Sequence, residues 1–126
     1  MGLFRRSKAS LHPLAGTAVW IVPLHIKAGA EQLPAPLIGA YVQVFCRGQD
    51  ANLAAWAAIQ AIETMGFSVH ENPTTVHQMP AAQYQDYVSE NWPELKASFP
   101  GQAEFYERMT ENRAVISPFA GYDTIA

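Results

Sequence analysis

The chain contains four histidines and five tyrosines, the neutral side chains best suited to proton transfer or to binding a polar ligand. An imidazole has a pKa close to neutrality, so a histidine beside a phenol can act as a general base. Their spacing in the sequence does not by itself bring these side chains within hydrogen-bond reach of one another. To act together, they would have to line the same small cavity of the folded chain. The candidate ligand site consists of His25, His70, His77 and Tyr84.

A metal site is not expected from these residues. His70 and His77 are seven residues apart, and an odd separation places two side chains on opposite faces of an extended segment. Zinc needs three or four ligands, and no third ligand is evident beside them. Cys46 is the only cysteine, which excludes an intrachain disulfide and a cysteine-rich zinc site. We therefore expect neither a metal nor a cofactor.

A second candidate surface combines aromatic and acidic residues. Trp92, Tyr106 and Tyr122 fit the apolar stripes of their segments poorly and lie among glutamates. On a helical wheel, Leu53 and Trp56 lie to one side of the stripe that would cover a sheet. Aromatic side chains often anchor protein–protein interfaces. We therefore expect Leu53, Trp56, Trp92, Tyr106 and Tyr122 to bind a partner protein.

The charge distribution favours a protein partner over nucleic acid. Residues 63–126 hold nine acidic and three basic side chains, and the whole chain has a net charge of −3. An acidic half can steer a basic partner, whereas a nucleic-acid-binding domain normally shows a basic stripe. No apolar stretch has the length needed to cross a membrane. We expect a cytoplasmic chain that binds an unidentified protein, whose contact surface could be basic, or a second copy of itself, and binds neither nucleic acid nor a membrane.

The composition predicts one folded domain behind a short tail. At 126 residues, with 49% hydrophobic and 15% charged residues, the chain is long and apolar enough to bury one core. Residues 1–13 include Arg5, Arg6 and Lys8 and are predicted to be a flexible basic tail. Residues 14–126 are predicted to form a single α+β domain.

The segment from Ala40 to His70 gives the clearest structural prediction. Residues 40–46 alternate between two side-chain faces, as in a strand, with Tyr41, Gln43 and Phe45 on one of them. Asp50 can cap a helix over residues 51–65, which Gly66 would end. Extended structure resumes at Phe67. A strand, helix and strand joined by short turns normally form a right-handed crossover with parallel strands in one sheet.

The flanking segments complete the predicted order of elements. Residues 17–27 read as a strand, and Pro23 places it at a sheet edge or at a bulge because proline lacks a backbone N–H. Residues 67–79 read as a two-stranded hairpin around Asn72 and Pro73. Two helical segments follow. The first spans about residues 80–91, and the second lies after Pro100 and Gly101 and ends at about residue 111. Residues 114–119 supply the last strand.

This order is β-α-β-β-α-β, that of a ferredoxin-like sandwich, with an extra N-terminal strand and a sheet covered on one face by helices. Such folds host many unrelated activities, so the fold does not name a function. The aromatic and acidic residues favour a non-enzymatic protein-binding domain of the adaptor, inhibitor or toxin-neutralising, immunity-like type. The alternative is a homodimeric ferredoxin-like protein that binds or transforms a small ligand in a cavity lined by histidine and tyrosine.

Overall fold

Two long antiparallel strands form the centre of the molecule. In the computed structural model, which describes residues 12–73 and 75–123, strand β1 (Ala18–Lys27) pairs with strand β2 (Gly39–Cys46). The register runs from Trp20↔Cys46 to Ile26↔Ala40. Both strands bury residues on both faces of the sheet, so the core extends above and below them.

Four short strands extend this pair on both sides. Strands β3 (Ser68–Val69) and β4 (His77–Pro80) pair with opposite ends of β1. Strands β5 (Val115–Ile116) and β6 (Ala120–Tyr122) pair with opposite ends of β2. Every pairing within the described residues is antiparallel. The predicted α+β class is confirmed.

Strand β1 has neighbours on both sides, and its register with β2 runs unbroken through Pro23, so both predicted alternatives, a sheet edge and a bulge, were wrong. Gln43, opposite Pro23, donates its backbone N–H to Ser117 Oγ, and its carbonyl accepts the backbone N–H of Ser117. The backbone of Gln43 therefore points away from β1, and Pro23 and Gln43 form a pair without mutual hydrogen bonds. The nitrogen of Pro23 points the other way, between β3 and β4, where none of the described residues pairs with β1. The proline is accommodated because the sheet has a gap there.

The strands of the predicted crossover and of the predicted hairpin pair with other strands than expected. Strands β2 and β3 are both antiparallel to β1 and so parallel to each other, but β1 lies between them. Strands β3 and β4 pair with β1 and not with each other, so the predicted hairpin was wrong. The pairing does not confirm the ferredoxin-like arrangement at the level of strand order.

Helix α1 (Ala51–Thr64) covers one face of the sheet. It begins at Asp50, whose side chain accepts the backbone N–H of Leu53 at 2.8 Å. It ends before Gly66, which has a φ of +96°, a conformation that glycine adopts without a steric penalty. The helix residues that face the sheet and are buried are Ala54, Ala58 and Ile62. Because two of these three side chains are alanine, the helix can lie close to the sheet.

Helices α2 (Tyr84–Asn91) and α3 (Gln102–Thr110) lie on the opposite face. The sheet is therefore covered on both faces, and the prediction of a single covered face was wrong. Phe45 is the centre of this second core, with edge-to-face ring contacts at centroid distances from 5.5 to 6.4 Å. Its five aromatic neighbours are Tyr84, Tyr87, Trp92, Phe99 and Phe105.

Most of the predicted tail, residues 1–11, lies outside the described residues. His12, which we assigned to the tail, stacks on Tyr106 with ring centroids 4.0 Å apart and belongs to the folded domain. Among the described helices, none is long and apolar enough to cross a membrane.

The cap of α1 can be tested by substitution. Asp50→Ala removes the acceptor for the Leu53 N–H, and we expect it to lower the free energy of unfolding by about 1 kcal/mol. Asp50→Asn keeps a side-chain oxygen as acceptor, so its free energy of unfolding should fall much less than that of Asp50→Ala. Urea unfolding followed by circular dichroism measures both variants. Equal stability of Asp50→Ala and the unaltered protein would show that this hydrogen bond does not stabilise the helix.

Candidate functional site

Helices α2 and α3 cover only one end of their face of the sheet, and the other end forms an open groove of about 350 Å³. The groove lies over β1 and β2, between residues 71–73 and 75 on one side and residues 117, 118 and 120 on the other. Its volume falls within the range of small-molecule sites. The polar side chains that line it are His25, Tyr41, Gln43, Glu71, Asn72, Thr75 and Ser117.

The alternation of the two central strands explains why this groove is polar. Residues on one face of a strand recur at every second position, so His25 lies on the same face as Ile21. In β2, Tyr41 likewise shares a face with Phe45, and the register places Ile21 opposite Phe45 and His25 opposite Tyr41. The same face is therefore apolar under the helices and carries hydrogen-bonding rings where the helices end.

Four rings form a cluster at the open end, which we call the ring cluster: His25, Tyr41, His70 and Tyr122. The rings of His25 and Tyr41 stack with centroids 4.5 Å apart and an interplanar angle of 19°. His70 meets His25 edge-on at 4.8 Å. His25 Nε2 forms a hydrogen bond of 2.5 Å with Tyr122 Oη. The ring of His25 is thus in contact with a ring on each of three other strands or their extensions.

Gly39 makes room for the tyrosine of this cluster. Gly39 lies opposite Tyr122 in the pairing of β2 with β6, and a Cβ atom added at Gly39 would overlap the Tyr122 ring. Glycine inside a strand often marks such a close approach. Gly39 immediately precedes the predicted strand of residues 40–46, and it is therefore a sequence signal for the site that the prediction did not use.

The surroundings of His25 favour its neutral form. Partial burial of the imidazole lowers the pKa of His25 below the ordinary value of 6.5, and the nearby charges of His70 and Lys27 act in the same direction. Glu71 acts in the opposite direction. At neutral pH the ring therefore has one nitrogen that donates and one that accepts a hydrogen bond.

Glu71 extends the cluster with a carboxylate. His70 Nε2 and Glu71 Oε1 are 3.8 Å apart. His25, His70 and Glu71 each have a nitrogen or oxygen atom that could bind a metal ion, and these three atoms lie within 4.8 Å of one another. As possible metal ligands, only His70 and His77 were considered together from the sequence, whereas the structure places His70 beside His25.

The predicted ligand residues separate into two groups. His25 and His70 converge in the groove, but His77 lies in a different depression beside Asp86 and Glu90. Tyr84 is fully buried, donates its hydroxyl to the carbonyl of Pro100 at 2.7 Å, and has a pKa raised by burial. The expected site of three histidines and Tyr84 is therefore not formed, and Tyr41 and Tyr122 complete the cluster instead.

The predicted partner-binding residues also separate. Leu53 and Trp56 are exposed, with 48% and 64% of their surface accessible. Tyr106 is only 3% exposed, and Trp92 packs against the core around Phe45. Of these expected contact residues, Tyr106 therefore does not lie on an exposed surface, and Trp92 is only partly exposed.

Two local contacts explain why these rings turn inward. Trp92 ends α2, because Pro93 follows it, and its ring reaches the core rings of Phe45 and Phe99. His12 stacks on Tyr106 from outside. Tyr122 is half-buried in the ring cluster and is not part of an acidic rim.

Comparisons of the chain with protein-family models, with curated proteins and with solved structures gave no match. Two features of the described residues bear on function: the groove and the exposed face of α1.

The titration of His25 tests the electrostatics of the ring cluster. NMR of the imidazole carbons in chelator-treated protein should show His25 titrating with a midpoint below 6.5. His70→Gln removes a positive neighbour and should raise the midpoint, whereas Glu71→Gln removes a negative neighbour and should lower it further. Shifts in the same direction for both variants would contradict this arrangement of charges.

The same shift predicts a change of stability with pH. Between the folded pKa and 6.5, the unfolded chain binds more protons at His25 than the folded chain. The contribution of His25 to the free energy of unfolding is thus complete above pH 6.5 and decreases as the pH falls through that window. His25→Gln should lose this part of the pH dependence in urea unfolding.

Proposed function

We propose that the protein binds a small planar heteroaromatic molecule in the groove. The observation that carries the proposal is the ring cluster at an uncovered part of the sheet face. Tyr41 exposes 55% of its surface there while its other face is stacked on His25. A ring that is already held in place can stack on a ligand with little further loss of side-chain entropy.

The walls of the groove fit a planar molecule that carries hydrogen-bonding atoms. Pro23, Pro118 and Trp92 supply apolar surface. Gln43 Oε1 accepts the hydroxyl of Tyr87 at 2.9 Å, so the amide nitrogen is the group that Gln43 offers to a ligand. Among the described residues of the lining, Glu71 is the only one that is charged at neutral pH. A largely uncharged ligand with a ring nitrogen or carbonyl as acceptor matches this surface.

We also infer a ferredoxin-like relation for the fold. Strands β2 and β3 and helix α1 form a split β-α-β unit, with β1 between two parallel strands. Ferredoxin-like sheets are built from such units, which supports a ferredoxin-like relation in which the N-terminal strand takes the inserted place.

Binding of heteroaromatic fragments tests the proposed function. Chelator-treated protein is titrated with quinoline, indole and purine, and amide shifts are followed by NMR. We expect the shifts to concentrate at the groove and Tyr41→Ala to weaken binding about tenfold, or about 1.4 kcal/mol.

Trp56→Ala is the matched control, because it removes an exposed aromatic ring on the opposite face of the sheet and should leave binding unchanged. Fragments that shift residues outside the groove, or bind Tyr41→Ala as tightly, would refute the proposal.

A protein partner on helix α1 is the second candidate function. Leu53 and Trp56 are three residues apart and therefore lie on one side of the helix, away from the buried face. Tryptophan is one of the residue types enriched at the binding hot spots of protein interfaces. This face suits an adaptor, inhibitor or immunity-like domain, and it suits self-association equally.

The two uses of this face give different measurements. Self-association through α1 predicts a dimer in light scattering that Trp56→Ala dissociates. A heterologous partner predicts a monomer, with capture of one specific protein from the source cell that is lost in Trp56→Ala. Tyr41→Ala is the control, because it also removes an exposed ring but one that does not lie on α1. A monomer whose captured proteins do not depend on Trp56 would exclude this surface.

A further inference from the structure

We propose that His25, His70 and Glu71 bind one divalent transition-metal ion at the wall of the groove. The inference rests on the proposed function, because the ion would supply one of the contacts to the heteroaromatic ligand.

The backbone brings the two histidines together. The N–H of His70 donates to the carbonyl of His25 at 2.8 Å, directly after the pairing of β1 with β3. Neighbouring positions of two paired strands turn their side chains to the same face, and the two imidazole rings meet at 4.8 Å. Glu71 is the next residue of the chain, so the fold itself assembles a two-histidine, one-carboxylate set.

The three donor atoms would have to move only slightly closer to one another to bind an ion. The three donor atoms lie within 4.8 Å of one another, and His70 Nε2 is 3.8 Å from Glu71 Oε1. In a tetrahedral zinc site with bonds of about 2.0–2.1 Å, two ligand atoms are about 3.3 Å apart. His70 and Glu71 are exposed and can make this adjustment by side-chain rotation. His25 is held by its stack on Tyr41.

The contact between His25 and Tyr122 also suits a ligating imidazole. One nitrogen of His25 is oriented by the hydroxyl of Tyr122, which leaves the other nitrogen of the ring for an ion. Metal-ligating histidines are usually held in this way by a hydrogen bond to the second nitrogen. Gly39, which makes room for Tyr122, therefore supports the site indirectly.

The donor set indicates both the kind of ion and the role of the groove. Two imidazoles and one carboxylate suit zinc and neighbouring transition metals, whereas magnesium and calcium prefer oxygen ligands throughout. Three protein ligands leave one position of a tetrahedral ion open. His25 and Glu71 line the groove, so a ring nitrogen of a bound ligand could occupy that position.

Zinc alone is the probe for this site. Untagged, chelator-treated protein is titrated with Zn²⁺ by calorimetry, and we expect one equivalent to bind. His70→Gln and Glu71→Gln should each weaken binding roughly tenfold or more. Both residues are exposed, so these variants should fold, and circular dichroism verifies it.

His77→Gln is the matched control, because His77 is an exposed histidine in a different depression. It should bind Zn²⁺ as the unaltered protein does. Absence of zinc binding, or binding that survives both His70→Gln and Glu71→Gln, would overturn the inference.

Fragment binding with and without zinc distinguishes the two proposals. Fragments that bind the groove in chelator while Zn²⁺ does not bind would overturn the metal site and leave the proposed function intact. One equivalent of Zn²⁺ bound through His70 and Glu71, with no fragment bound in either condition, would support the metal site and refute the heteroaromatic ligand.

Discussion

The antiparallel pairing of β1 with β2 is the constraint on which the rest of the structure depends. Its register sets Ile21 against Phe45 and His25 against Tyr41. Because side chains alternate between faces with a period of two, a shift by one residue would move every one of these side chains to the other side of the sheet. The core under α2 and the ring cluster in the groove are therefore two consequences of one register.

The length of these strands explains why a site can exist on this face. Strand β1 has 10 residues, and the core around Phe45 covers only the part that includes Val19 and Ile21. Beyond that point the same face continues without a helix above it, and the chain places His25 and Tyr41 there. On the α1 face the buried side chains extend from Cys46 to Ile26, along the whole paired length of the two strands.

Pro23 shows how a correct local rule led to a wrong position. Proline does avoid the paired side of a central strand, and the rule holds here, since its nitrogen faces the gap between β3 and β4. The rule does not say that a gap can occur inside a sheet. Two short strands at one edge of β1 create that gap, and the lengths of His77–Pro80 and Ser68–Val69 were not evident from residue types alone.

The sequence by itself determined which side chains share a face: Tyr41 with Gln43 and Phe45, and Leu53 with Trp56 outside α1. It also determined the helix limits through Asp50 and Gly66, because capping and positive φ are local properties. Only the tertiary structure decided which strands are neighbours, and so brought His25 to His70 and Tyr122. Periodicity fixes the face of a residue, whereas the residue it meets depends on pairing between distant segments, for which a single sequence has no local signal.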